Sequence, residues 1–236
     1  MASLATACVI AAVTTSIHIA ITSPTPSPPK KDRLKADYTP FLFVCLQVLK
    51  GSIWVHAIIE LAIALSHALA LNLSARERLL SILLMDQHPH SRTISIPPIR
   101  FVAGLAVVIG GCIRWLSYRE MGRYFTYHVT VLKEHRLVTT GPYSFVRHPG
   151  YTGGNLVQVG LVFWHGARGS WLRESDVYKS PIAWLVLVLC SISVTLTLKL
   201  YAERPELEDA LLKKEFGKQW DDWAKNVPYR FLPGIV

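Results

Sequence analysis

The chain has 236 residues, of which 51% are hydrophobic and 17% are charged, and its mean hydropathy is +0.31. This composition is too apolar for a water-soluble domain of this length and favours a polytopic membrane protein of the all-α class. The formal net charge of +9 does not indicate nucleic-acid binding, because the basic residues are spread over connecting loops that suit lipid headgroups.

Five apolar segments are predicted to be membrane helices. Four of them, residues 2–22, 41–72, 97–118 and 181–202, fit the length of about 20 residues that a span requires. The fifth, residues 152–167, is short and rich in glycine, and we expect a tilted or re-entrant helix that packs closely against its neighbours. The first segment has no basic stretch before it, which favours a retained span over a cleaved signal peptide. The expected fold is an integral membrane bundle of about five transmembrane helices.

The second segment contains four ionisable residues, Lys50, His56, Glu60 and His67. An ionisable side chain within a span is a candidate for a functional role. A hydrogen bond between helices is the alternative, and we favour it for this group. The segment is also longer than one crossing, so part of it should project from the membrane or face other helices.

No metal site is expected. His88 and His90 stand close together in a polar loop, but no third ligand is near them in sequence. The four cysteines each lie alone in an apolar stretch without C-x-x-C spacing, which is typical of reduced core residues.

The lysines and arginines predict an orientation. Five crossings place loop 23–40, the stretch 119–151 and the C-terminal tail on one side. Counted with Arg114 and Lys199 at the adjoining span ends, that side carries 17 of the 25 basic residues, against seven on the other side. By the positive-inside rule, the richer side faces the cytosol. The polar stretch and the tail are therefore both expected to be cytosolic.

The stretch 119–151 is interrupted by glycines and prolines and is rich in polar aromatic residues. These are Tyr124, Tyr127, His128, His135, Tyr143, Arg147, His148 and Tyr151. Non-helical backbone at membrane depth is tolerated only where it is buried in protein or lines a polar cavity. Glycines allow close approach of a ligand, and tyrosine rings can face a cation. The stretch predicts a pocket for an adenine nucleoside with a positive centre, and a structural loop is the alternative.

The tail that follows the last span offers two opposite charges together. Arg204 and Glu208 are four residues apart and share one face of a helix. A surface ion pair on an interfacial helix is the alternative. Pro205 predicts a bend at Arg204, because the residue before a proline avoids helical angles. Trp220 and Trp223, further along, are expected to anchor the tail at the membrane interface.

These motifs together carry a resemblance. They are His135-Arg-Leu-Val138, Thr-Gly-Pro-Tyr143, Arg147-His-Pro-Gly-Tyr151, Arg204 with Glu208 and Asp209, and Phe216-Gly217. The pattern covers roughly residues 100–233 and resembles the isoprenylcysteine carboxyl methyltransferase family. The Arg-His-Pro-x-Tyr block is shared with phospholipid methyltransferases, whereas the Arg-x-x-x-Glu and Phe-Gly tail narrows the match. Asp209 departs from the family, which often has a second glutamate there.

The resemblance implies a site for S-adenosyl-L-methionine that is built without a Rossmann domain. The cofactor-binding residues carried over are His135, Arg136, Leu137, Val138, Tyr143, His148, Pro149, Gly150, Tyr151 and Glu208. Arg204 and Glu208 are the implied catalytic residues, and Arg204 is also the implied substrate-binding residue. Residues 1–100 would then supply N-terminal membrane helices, and residues 101–236 the methyltransferase core.

The implied reaction is methyl transfer to the C-terminal α-carboxylate of a prenylated cysteine in CaaX-processed, membrane-associated proteins. The implied location is the endoplasmic reticulum membrane, with membrane lipid around the protein and neither nucleic acid nor metal as a partner. Two alternatives remain open at this point. One is a phospholipid N-methyltransferase, and the other is a non-catalytic membrane scaffold with the same fold.

Overall fold

The computed structural model describes residues 2–26, 29, 40–69, 72–85, 94–127 and 136–234. Regular structure in these residues is helical, which confirms the all-α prediction. The helices are α1 (Ala2–Ile21), α2 (Pro40–Ala68), α3 (Leu73–Leu84), α4 (Pro98–Met121), α5 (Pro149–Gly166), α6 (Trp171–Glu174), α7 (Pro181–Phe216) and α8 (Lys218–Asn226).

Four helices of the described chain, α1, α2, α4 and α7, are long and apolar enough to cross a membrane. They coincide with the four predicted full-length spans, and the protein is therefore a polytopic membrane protein. His88 and His90 lie outside the described residues, as does the side chain of His67. All four cysteines are free thiols.

Helix α5 corresponds to the predicted short segment and connects the two ends of the bundle. His148, just before α5, bonds to Asp209 in the C-terminal part of α7. Trp164, near the end of α5, packs under the guanidinium of Arg100 at the start of α4, with 4.2 Å between that group and the ring centre. The start of α5 therefore lies beside the C-terminal turns of α4, where Arg114 bonds to the carbonyl oxygen of Gly150, and its end lies beside the start of α4.

Close packing between α4 and α5 depends on glycine. A Cβ atom at Gly153 would lie 2.6 Å from the carbonyl oxygen of Gly110, and a Cβ at Gly110 would lie 2.6 Å from that of Gly153. A Cβ at Gly160 would meet Val107 at 2.7 Å. The two backbones therefore approach as small residues in membrane helices allow, which confirms the packing predicted for residues 152–167.

A buried ion pair joins three parts of the bundle at the end where α4 begins. Arg100 Nη2 lies 2.5 Å from Glu60 Oε2, and neither side chain is accessible to solvent. Arg100 also donates to the carbonyl oxygens of Ser95 and Gly169, while Glu60 Oε1 accepts from the backbone N–H of Trp171. For Glu60, the hydrogen bond between helices is thus confirmed.

Glu60→Gln is expected to lower the free energy of unfolding by about 3–5 kcal/mol, because the charge of Arg100 would remain buried without its partner. The amide keeps the shape of Glu60 and an acceptor for Trp171, so the loss reports the charge. Thermal unfolding in detergent measures it. Glu203→Gln is the control, since Glu203 is exposed and its pair with Lys199 spans 3.8 Å. Equal losses in the two variants would contradict the prediction.

Helix α7 continues for 36 residues and contains Pro205 in its interior. The helix is therefore not interrupted at Arg204, where the backbone remains helical. Proline removes only the hydrogen bond to the carbonyl of Tyr201, and both Arg204 and Pro205 are buried by the surrounding chain. Packing of these two residues thus stabilises a helical backbone that the sequence disfavours locally. As a result, α7 extends beyond residue 202, where the apolar segment was predicted to end.

Candidate active site

A cavity of about 1020 Å³, including its open mouth, lies at the end of the bundle where α4 and α7 leave the apolar layer. Its walls come from the C-terminal turns of α4, the start of α5, the second half of α7 and α8. The segment 136–148 closes one side.

Most of the predicted site residues meet at this cavity. Those on its wall are Leu137, Val138, Tyr143, His148, Gly150, Tyr151, Arg204 and Glu208. Arg136 is exposed and is not on the wall, and Pro149 is buried as the first residue of α5. His135 lies outside the described residues. The structure therefore brings the loop motif and the tail motif to one site.

The loop motif is shaped by a tight turn. Residues Gly141–Ser144 form one turn of 3-10 helix, and Gly141 has a φ of +58°, which favours glycine. A Cβ there would also lie 2.9 Å from the carboxylate of Glu120, which accepts a hydrogen bond from Thr140. This turn places Tyr143 in the wall of the cavity.

Tyr143 is fixed from behind by the C-terminal helix. The indole N–H of Trp223 donates to the carbonyl oxygen of Tyr143 at 3.2 Å, and both rings are buried with Val227. Burial, with the negative charge of Glu208 nearby, raises the pKa of the Tyr143 phenol, so the group stays neutral. Trp223 lines the cavity, and the prediction that it anchors the tail at the membrane interface is wrong.

His148 joins the two motifs through carboxylates. Its Nε2 lies 3.0 Å from Asp209 Oδ1, and its Nδ1 lies 3.6 Å from Glu208 Oε2. Glu208 also accepts a hydrogen bond from the hydroxyl of Tyr151, and Asp209 faces Nε of Arg147 at 3.4 Å. Burial alone would lower the pKa of His148, but the hydrogen bonds and charges of Asp209 and Glu208 raise it. The two carboxylates therefore favour the protonated form of the imidazole.

The raised pKa gives His148 a pH-dependent contribution to stability. That contribution is complete below the ordinary pKa of 6.5 and is lost as the pH rises through the higher pKa of the folded state. Between pH ~5 and ~9, the melting temperature of the wild type is expected to fall relative to that of His148→Gln. Thermal unfolding in matched buffers measures the difference. Parallel profiles for the two proteins would contradict the prediction.

Two buried arginines also face the cavity. Arg204 donates from Nη1 to the carbonyl oxygen of Tyr127 at 2.6 Å. Arg114 donates to the carbonyl oxygen of Gly150 at 2.8 Å and to the hydroxyls of Tyr118 and Tyr127 at 2.7 and 3.1 Å. In the described part of the chain, no carboxylate forms an ion pair with Arg114. The two guanidinium groups therefore make this side of the cavity suitable for binding an anion.

Sequence reasoning missed Arg114 and Tyr201, which lie within or near the ends of predicted spans. Arg114 was counted only as a basic residue for orientation. The available signal was its position inside segment 97–118, since a charged residue within a span marks a functional site by default. Tyr201 carries no such signal in the sequence.

Residues 102–166 match the model of the isoprenylcysteine carboxyl methyltransferase family. This stretch of the chain is therefore similar to that family. The name of that family denotes methyltransferases, and such enzymes use S-adenosylmethionine, the cofactor that the motifs implied.

Relatives of the methyltransferase family match over longer stretches. The probable protein-S-isoprenylcysteine O-methyltransferase of Oryza sativa subsp. indica is 27% identical over 171 residues, which are 71% of this chain and 76% of that protein. Protein-S-isoprenylcysteine O-methyltransferase B of Arabidopsis thaliana is 30% identical, over 52% of this chain and 53% of that protein. The Homo sapiens protein-S-isoprenylcysteine O-methyltransferase is 30% identical, over 56% and 41%. The match thus spans about half or less of the latter two relatives.

The two neighbouring carboxylates Glu208 and Asp209 have different surroundings. Asp209 is turned away from the cavity and is buried among His148, Arg147 and Arg230. Glu208, one residue earlier, supplies the carboxylate on the cavity wall. Asp209 therefore positions the histidine, while Glu208 is available to a ligand.

Proposed function

We propose that this chain transfers a methyl group from S-adenosylmethionine to the C-terminal α-carboxylate of prenylated cysteine in CaaX-processed proteins. One observation carries the proposal: Arg114 and Arg204 face the same cavity as Glu208, beside the membrane helices. The cavity thus offers cations to an acidic acceptor and an anion to a cationic donor. The names of the relatives point to the same acceptor.

The residues present fit the methyl donor. Glu208 matches its cationic amino-acid part, the tyrosine rings match a sulfonium centre, and Leu137 and Val138 offer an apolar surface to the adenine. The backbone at Gly150 approaches the cavity without a side chain in the way. His135, Arg136 and Pro149 belong to the same proposed binding segment. When bound, this cofactor supplies a methyl group that a nucleophile can take.

The acceptor needs no general base. An α-carboxyl group has a pKa of about 3.3–3.7, so it is already an anion near neutral pH. Arg204 and Arg114 hold the carboxylate by charge-assisted hydrogen bonds and direct one oxygen toward the methyl carbon. With S-adenosylmethionine bound, that oxygen would take its methyl group, the new C–O bond forming as the S–C bond breaks and the electron pair of that bond staying on sulfur. Carboxylate and sulfonium are both neutralised, so no proton moves.

The membrane setting follows from the acceptor. Each buried methylene group of a lipid anchor contributes about 0.8 kcal/mol, so a prenyl chain stays in the bilayer. The 17 basic residues on the side of the cavity support a cytosolic orientation, which suits a soluble donor. We place the enzyme in the endoplasmic reticulum membrane, with residues 101–236 as its methyltransferase core and lipid as its surroundings. The wall of the cavity begins at Arg114 and ends at Trp223, which supports that division.

Transfer of a labelled methyl group to a panel of acceptors tests the proposal. The purified protein is given a farnesylated cysteine analogue and phosphatidylethanolamine side by side, and labelled ester is expected only from the first. Transfer to the lipid amine alone would favour the phospholipid N-methyltransferase instead, whose nucleophile has no need of two arginines. Calorimetry with S-adenosylmethionine separates both from a scaffold, which would bind no donor.

A further inference from the structure

A second cavity opens beside the first, within the apolar part of the bundle. Its volume is about 1180 Å³, including the open mouth, and α1, α2, α5 and α7 supply its walls. Leu49, Val157 and Leu161 form its floor and belong to the central hydrophobic core. We call it the lateral cavity. Its walls suit a hydrocarbon chain.

Lys50 is the one charged side chain among the described residues that line the lateral cavity. Its Nζ lies 3.0 Å from Thr22 Oγ1, and no carboxylate of the described residues forms an ion pair with it. Lys50 lies ten residues into α2, within the apolar stretch Phe41–Ser66. A cation in such a place is costly without an anion. The lateral cavity therefore has an apolar floor and a single cationic side.

Tyr127 stands between the two cavities. It lines both of them, together with Tyr201. Its hydroxyl accepts from Arg114, and its carbonyl oxygen accepts from Arg204. A ligand in the lateral cavity thus meets Lys50 within that cavity. The two arginines lie on the other side of Tyr127.

We infer that Lys50 is a specificity-determining residue. It receives the carboxylate of the acceptor on entry into the lateral cavity, before Arg204 and Arg114 hold that carboxylate for methyl transfer, and it favours the acid over its methyl ester. The inference rests on the proposed function. An amphiphile with a prenyl chain and one carboxylate matches the apolar floor and the single cation. Bringing a carboxylate into an apolar cavity is costly unless a cation meets it. The ester product has no charge for Lys50 to hold, so methylation itself favours release.

The test compares binding of N-acetyl-S-farnesylcysteine with that of its methyl ester, by displacement of a fluorescent farnesyl analogue in nanodiscs of neutral lipid. The wild type should prefer the acid. Lys50→Gln is expected to weaken binding of the acid by about tenfold or more and to leave binding of the ester unchanged. Lys50→Arg should keep the preference. In turnover assays, the loss should fall on KM for the acid rather than on kcat.

Lys199→Gln is the matched control, because Lys199 is an exposed lysine on α7 whose pair with Glu203 lies on the surface. It should leave both affinities as they are. Equal weakening of acid and ester in Lys50→Gln would show that Lys50 only supports the fold, and unchanged affinities would show that it meets no carboxylate. Either result overturns the inference. Lack of turnover by the wild type would refute the proposed function separately, since the binding comparison needs no methyl transfer.

Discussion

Arg204→Ala is expected to lower kcat by about 10²–10³ while leaving the affinity for S-adenosylmethionine largely intact. Arg204 faces the cavity as a buried cation and is proposed to hold the acceptor carboxylate in line with the methyl group. Without it, the carboxylate loses its orientation and part of its charge partner. Transfer of labelled methyl groups measures kcat, and calorimetry measures binding of the donor.

Arg204→Lys is the companion variant. It keeps the charge but loses the planar fork that binds a carboxylate through two hydrogen bonds, so turnover should recover only in part. Because Arg204 also bonds to the carbonyl oxygen of Tyr127, melting temperatures of both variants should be compared with the wild type. A loss of donor affinity in Arg204→Ala as large as that in Glu208→Ala would contradict the roles proposed here.

Glu208→Ala is expected to weaken both donor affinity and turnover, with a loss of affinity of about 10- to 100-fold. Glu208 supplies the carboxylate on the cavity wall, where Tyr151 and His148 orient it. Its removal leaves the cationic part of the donor without a partner. Glu208→Gln keeps a side chain of the same shape and should show the same direction of effect, since the charge is what is lost. Calorimetry measures the affinities.

Glu206→Ala provides the control on the same helix. Glu206 is 70% exposed and pairs with Arg230 outside the cavity, at 3.0 Å. Its removal takes away one negative charge near the site but no group from the wall. Donor affinity should therefore stay at the wild-type value. A comparable loss in Glu206→Ala would mean that general electrostatics, rather than contact by Glu208, holds the donor.

The spans were predictable because each is a long apolar run, and a run of about 20 such residues has few other uses. The length of α7 was not. Residues 203–216 are polar, and Pro205 locally favours an interruption, so the sequence suggested a separate tail. The contacts that hold this part of α7 in place join Asp209 to His148 and Arg147, which lie about 60 residues earlier in the chain. Such distant contacts leave no periodic signal.

The site was predictable in its composition but not in its assembly. Motifs indicated that Tyr143, Tyr151 and Glu208 belong to one pocket, and all three are on its wall. Nothing local to Trp223 showed that it would pack behind Tyr143, because an aromatic residue in an amphipathic tail equally suits a membrane surface. The role of Arg114 was missed for a different reason. Its partners are tyrosine hydroxyls and a backbone carbonyl, so no acidic residue in the sequence indicated an interaction with it.

The uninterrupted course of α7 couples the chemistry to the bilayer itself. At 1.5 Å per residue, its 36 residues extend for about 54 Å, well beyond the hydrocarbon layer of about 30 Å. Thr197 and Tyr201 line the lateral cavity, and Arg204 and Glu208 line the other, all on this one rod. A change in bilayer thickness that tilts α7 therefore rotates both walls together. The alignment between acceptor and donor thus depends on the thickness of the membrane.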